Sequence, residues 1–257
     1  LDFRPAALYF AAVGVLFIAT MLIRGFSTRS AAEALSCVFS NSVMIGIPII
    51  SFVFGESALI VLFTLISLHS LVLLTAATLV FELADARDAR ARENAVVVPL
   101  WRTVLQAARK SIIHPVPLPI LVGLLFAQTG LSLPSGIDKG LQMVGSALGP
   151  MALLLVGISL AYTHVGRNAR TAVSIALAKN LVLPALVLLL SPLFGVSGLA
   201  LAVMFVIAAM PVGANVFYFT QRYGVMQQEV SASIAASTLL ALLTLPLAIW
   251  IAHWIQT

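Results

Sequence analysis

The sequence predicts an all-α polytopic membrane protein, and three observations carry that prediction: composition, the length of the apolar runs, and the placement of arginine. Of 257 residues, 61% are hydrophobic and only 9% charged, against about 25% charged in soluble domains. The mean hydropathy is +1.10. Eight apolar runs approach or exceed the roughly 20 residues that a helix needs to cross hydrocarbon with its backbone satisfied internally. They lie near 6–24, 31–54, 57–82, 113–129, 138–163, 172–193, 197–220 and 229–254. A β-barrel is excluded because these runs are continuously apolar, not alternating. The chain opens LDFRP, without the charged start and short apolar region of a signal peptide.

The net charge of +5 follows membrane side and not a nucleic-acid-binding stripe. With alternating spans, Arg24, Arg29, Arg87, Arg90, Arg92, Arg102, Arg109, Lys110, Arg167, Arg170 and Arg222 share one side, and only Arg4 and Lys139 lie on the other. The arginine-rich side is expected to be cytoplasmic, with both ends of the chain external.

The first run, 6–24, is uninterrupted. The second contains FSNSVMIGIPII, Phe39–Ile50, where Pro48 removes a backbone donor and Gly46 loosens the helix, so a bend or break at mid-membrane is expected. The freed groups must face protein or a water-filled cavity, together with the side chains of Asn41 and Ser42. The third run carries His69, read either as an interhelical hydrogen-bonder or as a proton-coupling group, and ends at an interfacial Glu82. The polar link that follows, ELADARDARARENAVVVPLWRTVLQAARKS, reads as a solvated cytoplasmic linker with an amphipathic interfacial helix near Trp101–Lys110.

The fourth run, 113–129, carries no candidate. In the fifth, Gln142, Ser146 and Ser159 read as packing residues, with Gly149 and Pro150 making the helix irregular. His164 is interfacial. The sixth holds Lys179, which faces a cavity or snorkels to the cytoplasmic surface. The turn GVSG, Gly195–Gly198, joins it to the seventh. There AAMPVGANVFYF, Ala208–Phe219, repeats the pattern of the second run with Pro211, Gly213 and Asn215. The eighth run closes the set. Cys37 is the single cysteine and has no internal disulfide partner.

A fixed displacement lays LVLLT (Leu71–Thr75) on LALLT (Leu240–Thr244) and Gly55 on Gly224. Runs one to three then match runs six to eight. Because the displacement is five spans, an odd number, the copies are expected in opposite orientations, an inverted repeat of the kind found in transporters. Two helices precede the second triplet and none the first, so eight of an expected ten transmembrane helices are present and an N-terminal truncation is expected. The expected organisation is a partial first repeat (1–84), a cytoplasmic linker (85–111) and a second repeat (112–257).

The ordered set SNSVMIGIPII, FGESAL, VGSALGPMALLLVGISLA, AKNLVLP and AAMPVGANVFYFTQRYG resembles the auxin efflux carrier family, which includes bacterial malonate transporters. The resemblance covers nearly the whole chain. It implies a fold related to bile-acid sodium symporters, with two crossing broken helices forming the substrate site, and transport of carboxylate anions. It carries Asn41, Pro48, Pro211 and Asn215 over as site positions.

The expected substrate-binding residues are Asn41, Ser42, Gly46, Pro48, Lys179, Pro211, Gly213 and Asn215, in a secondary carrier of small organic anions, mono- or dicarboxylates such as malonate, in the bacterial inner membrane. No cofactor is expected. The coupling ion, proton or sodium, is open, and a homodimer is one option for assembly. The expected partners are the anion and the bilayer, with no nucleic acid. An enzyme reading as an intramembrane serine protease needs Ser197 hydrogen-bonded to His253 with oxyanion donors nearby. A non-transporting scaffold explains the spans but not two equivalent broken helices. No metalloprotease, Walker or dinucleotide motif occurs.

Overall fold

The computed structural model describes residues 2–90, 101, 105, 117–162 and 169–256. Among these the regular elements are helical, apart from one isolated antiparallel bridge between Ser40 and Val212. Helix α1 (Arg4–Arg24) begins with Pro5 in its first turn, where a missing N–H costs nothing, and closes at Gly25. Helix α2 (Thr28–Val38) is capped by Ser27, whose hydroxyl accepts from the Ser30 amide at 3.1 Å. Asp88, from a later helix, adds a second cap by accepting from Thr28 N at 3.1 Å and Thr28 Oγ1 at 2.9 Å. Its negative charge there complements the helix dipole.

After α2 the chain leaves helical geometry, resumes as a π turn over Ser42–Gly46 and continues as α3 (Ile47–Phe54). Then come α4 (Glu56–Arg90), α5 (Pro117–Gln128) and α6 (Ser135–Tyr162). Helix α7 (Ala169–Leu177) passes through a second π turn, Ala178–Val182, into α8 (Leu183–Phe194). Helix α9 (Gly198–Ala208) stops at a break, α10 (Asn215–Tyr223) resumes after it, and α11 (Gln227–Gln256) ends the set.

Each π turn directly precedes a proline in the first turn of the next helix, Pro48 and Pro184. Proline supplies no N–H and its ring presses on the carbonyl four residues back. A π turn widens the helix at that point, so the chain bends without ending.

Among the described residues four helical stretches, Arg4–Arg24, Glu56–Asp85, Ala169–Phe194 and Gln227–Gln256, are long and apolar enough to cross a membrane. With the composition, they make this an integral membrane protein. Their inward faces meet those of α2 and α9 in one apolar core that includes Leu8, Leu35, Ile66, Ile175, Val203 and Ile207. The outward face of α11 is apolar as well, with Leu242, Leu243 and Trp250 exposed, as suits a helix against lipid.

Charged side chains gather at one end of this array. Arg24 pairs with Glu33 at 2.8 Å, Arg29 with Glu229 at 2.9 Å and Arg222 with Glu82 at 3.0 Å. Two expectations change: α4 runs past residue 82 to Arg90, and α6 is helical straight through Gly149 and Pro150. Gln142 and Ser146 are exposed and bond only within α6, to Asp138 Oδ2 and Met143 O. The interfacial helix expected near Trp101–Lys110 lies outside the described residues except at Trp101 and Leu105. So does His164.

Candidate functional site

The two interrupted runs cross at their gaps. Asn41 N donates to Pro211 O at 2.9 Å and Gly213 N donates to Phe39 O at 2.8 Å, a pairing that sets Ser40 antiparallel to Val212. It satisfies backbone groups that the breaks leave without helical partners in the apolar interior. Glycine is required at 213, because a Cβ there would lie 2.9 Å from Phe39 Cδ1 and 3.0 Å from Ser40 O. On the other strand, Asn41 (φ −76°, ψ 60°) is the centre of an inverse γ-turn closed by Ser42 N donating to Ser40 O at 2.8 Å.

Lys179 supports this crossing from behind. It is 0% exposed, and its Nζ donates to Ala208 O at 2.6 Å and Met210 O at 2.7 Å, carbonyls at and just beyond the end of α9. A cation at a helix C-terminus offsets the negative end of the dipole. The snorkelling reading of Lys179 is therefore overturned, since the side chain runs into the protein. Its neighbour in the π turn, Asn180, donates from Nδ2 to Ser237 O at 2.8 Å, while its Oδ1 is buried without a partner. Ser237 Oγ accepts from Val212 N at 3.0 Å and donates to Ile234 O. The second break is thus held by Lys179, by Ser237 and by the first break.

A second polar group lies by the first break. The Tyr9 hydroxyl and Ser40 Oγ share a buried hydrogen bond of 2.7 Å. His69 is 2% exposed, with its ring centroid 5.6 Å from that of Tyr9 and 4.7 Å from that of Phe39. Its Nε2 has no partner among the described residues. The interhelical hydrogen bond expected of His69 is not made by that nitrogen.

Of the expected site residues, Asn41, Ser42, Gly46, Pro211, Gly213 and Lys179 lie at the crossing. Asn215 starts α10 just after it and is exposed, while Asn41 is half-buried. Pro48 stands apart: the break lies upstream of it, across the π turn, so Pro48 shapes the resumption of the helix and does not cause the gap. Gly46 faces Met210, whose Sδ would sit 3.2 Å from an added Cβ. Tyr9, Ser40, Asn180 and Ser237 were not among the expected residues. Asn180 had a signal, since AKNLVLP sets it beside Lys179 and just ahead of Pro184; Tyr9, in an uninterrupted apolar run, had none.

The resulting field is asymmetric. The C-terminal end of α9 is neutralised by Lys179, whereas the first turns at Ser42 and Asn215 contain no acidic side chain. Helix N-termini present unpaired N–H groups and partial positive charge, and so attract anions. At the arginine-rich end a cleft of about 460 Å³ opens between Ser27, Thr28, Arg29, Asp88, Gly224, Val225 and Met226. Among the described residues, no group of three or more His, Cys, Asp or Glu is placed to hold a metal ion.

Residues 6–249 match the family described as membrane transport protein. The chain belongs to that family. Auxin efflux carrier component 8 of Arabidopsis thaliana is 25% identical over 244 residues, 80% of this chain and 66% of that protein. A Rhizobium meliloti (strain 1021) protein named for malonate transport is 30% identical over 141 residues, 54% of this chain and 44% of its own length. The chain thus spans just under two thirds of one relative and less than half of the other in these matches. Both names agree with the resemblance to auxin efflux carriers and malonate transporters drawn from the motifs.

Within a membrane transport family, the Ser197 and His253 pair finds no catalytic geometry. His253 Nδ1 lies 2.8 Å from Ile249 O of its own helix and its ring rests beside Phe54. Ser197 precedes α9 in a turn. No hydrogen bond joins the two among the described residues.

Proposed function

We propose that the chain is a secondary carrier of small organic anions, carboxylates such as malonate, and that the crossing of the two broken helices is its binding centre. The observation that carries this is the antiparallel pairing at Ser40 and Val212, which brings two half-helix N-termini to one place while Lys179 covers the carbonyl end beside them. The relatives' names support the substrate class. Asn41 and Asn215 flank the crossing and supply carboxamide donors. A carboxylate there gains charge-assisted hydrogen bonds from amides that no acidic group opposes.

In this reading the two crossed runs belong to inverted repeats of a fold related to bile-acid sodium symporters, with the division at 1–84, 85–111 and 112–257. Gly55 and Gly224 match under the repeat and both turn the chain with positive φ, +78° and +65°, at different ψ, −175° and 25°. The arginine-rich end faces the cytoplasm of a bacterial inner membrane, and its polar cleft is the access route from that side.

The test is uptake of labelled malonate into sealed vesicles. Saturable uptake is expected, with Asn41→Ala and Asn215→Ala each weakening it while membrane insertion stays normal. Unchanged kinetics in both variants would remove the site assignment. Absence of any saturable carboxylate uptake would remove the carrier.

A further inference from the structure

We infer that His69 is the proton-binding site that couples transport to pH, taking up one proton on Nε2 when the anion arrives at the crossing. This rests on the carrier reading and names its coupling ion.

His69 is buried on α4, and its Nε2 has no hydrogen-bond partner among the described residues. Leaving a buried polar atom unpaired is costly, so a purely structural position is better filled by an apolar residue. With the ring's proton on Nδ1, Nε2 carries a free lone pair in the interior, a site that one proton can take without extra space.

The ring is also coupled to the site. It packs on Phe39, whose carbonyl accepts from Gly213 across the crossing, and on Tyr9, whose hydroxyl bonds Ser40 within the same pairing. A change in charge on His69 therefore acts directly on the residues that cross.

Tyr9 on α1 packs against the His69 ring, and Lys179 in the second π turn lies within electrostatic range of it; on α2, which also packs against α4, Cys37 lies within range of both Lys179 and Glu33. Helices α5 and α9 and the stretch Ser42–Phe54, which also pack against α4, bring no titratable side chain. Two cations in one buried cluster repel each other, and among the described residues no carboxylate pairs with Lys179 or with His69 Nε2 to relieve them. An arriving anion does so. Anion and proton then favour each other's binding by the same factor, as linkage requires. The proton comes from water on the side where the anion binds and returns to water on the side where it leaves, so no other reactant is consumed.

The experiment uses the full chain in sealed proteoliposomes with labelled malonate as probe. Two readouts are compared: malonate exchange at equal pH on both sides, and net accumulation driven by an imposed pH gradient. The wild type is expected to show both. His69→Gln should slow malonate exchange without abolishing it, by raising the malonate concentration for half-saturation, and should lose the response to the gradient, with accumulation falling about tenfold or more. Accumulation by His69→Gln that still follows the gradient overturns the inference. So does wild-type exchange that is indifferent to the gradient, a result that leaves the carrier reading intact. Absence of wild-type exchange refutes the malonate carrier itself and the coupling with it. A readout independent of the variant's folding is proton uptake by the wild type on adding malonate in unbuffered detergent solution. About one proton per chain is expected, and none overturns the proposal.

Discussion

Gly213→Ala is the sharpest probe of the crossing. The added methyl would stand 2.9 Å from Phe39 Cδ1, 3.0 Å from Ser40 O and 3.2 Å from Ser40 C. Two of these are backbone atoms of the opposing strand, so the strands must part and no side chain can yield instead. Overpacking of this kind costs about 1–3 kcal/mol. Parting also stretches Gly213 N to Phe39 O (2.8 Å) and Asn41 N to Pro211 O (2.9 Å), at about 1 kcal/mol each. The total is about 3–5 kcal/mol, or roughly 6–20 °C in melting temperature for a chain of this size. Cys37 provides the assay: it is the single cysteine, 4% exposed, so a thiol-reactive dye reports the loss of the fold on heating. Gly46→Ala is the graded comparison, because its methyl meets the movable thioether of Met210 at 3.2 Å, and Gly14→Ala meets nothing within 4 Å. The expected order of damage, in melting temperature and in malonate transport alike, is 213 far above 46 and 46 above 14. A Gly213→Ala protein that melts and transports like the wild type would refute the steric argument and with it the central place of the crossing.

Lys179→Met should strand the carbonyls of Ala208 and Met210, at about 1–3 kcal/mol each, and the same dye assay should show a lowered melting temperature together with lost transport. Ser197→Ala should leave transport unchanged, since Ser197 lies in a turn and makes no hydrogen bond to His253; loss of transport would reopen acyl chemistry. At the polar end of α10, burial and then the hydrogen bond donated to Glu82 push the Tyr223 phenol above its ordinary 10.0. The fold thus favours the neutral phenol, a contribution present below about pH 10 and lost as pH rises beyond it. Wild-type melting temperature should fall more steeply than that of Tyr223→Phe between pH 9 and 11, at about the phenol's ordinary range, and parallel curves would contradict the assignment.

The sequence made the two crossing segments conspicuous, because Asn, Ser, Gly and Pro within an apolar run conflict with an ordinary spanning helix. It did not locate the first break. Pro48 was the evident cause by local rules, yet the chain opens at Phe39–Asn41, because that stretch pairs its backbone with Pro211–Gly213 more than 160 positions away. Such pairing depends on tertiary approach, which helical periodicity does not encode. Lys179 was ambiguous for a related reason: the π turn at Ala178–Val182 shifts the helical phase, so a period of 3.6 cannot say which way it points. Tyr9 was invisible. In an apolar run a tyrosine reads as an interfacial anchor, and only the folded chain brings its hydroxyl to Ser40.

The charge count at the crossing decides what kind of anion it suits. Four half-helix ends meet there: the C-termini of α2 and α9, each worth about −0.5 charge, and the N-termini at Ser42 and Asn215, each about +0.5. These cancel, and Lys179 leaves a net charge of about +1. A monocarboxylate neutralises that without help, whereas a dicarboxylate leaves an excess negative charge in an apolar interior, where an uncompensated ion costs several kcal/mol. Protonation of His69 removes that excess. Dianion binding should therefore take up a proton and weaken as pH rises, while monocarboxylate binding should do both to a smaller degree. Malonate and acetate titrated in parallel at several pH values separate the two cases, and identical pH profiles would mean that the charge at the crossing is set by groups other than Lys179 and His69.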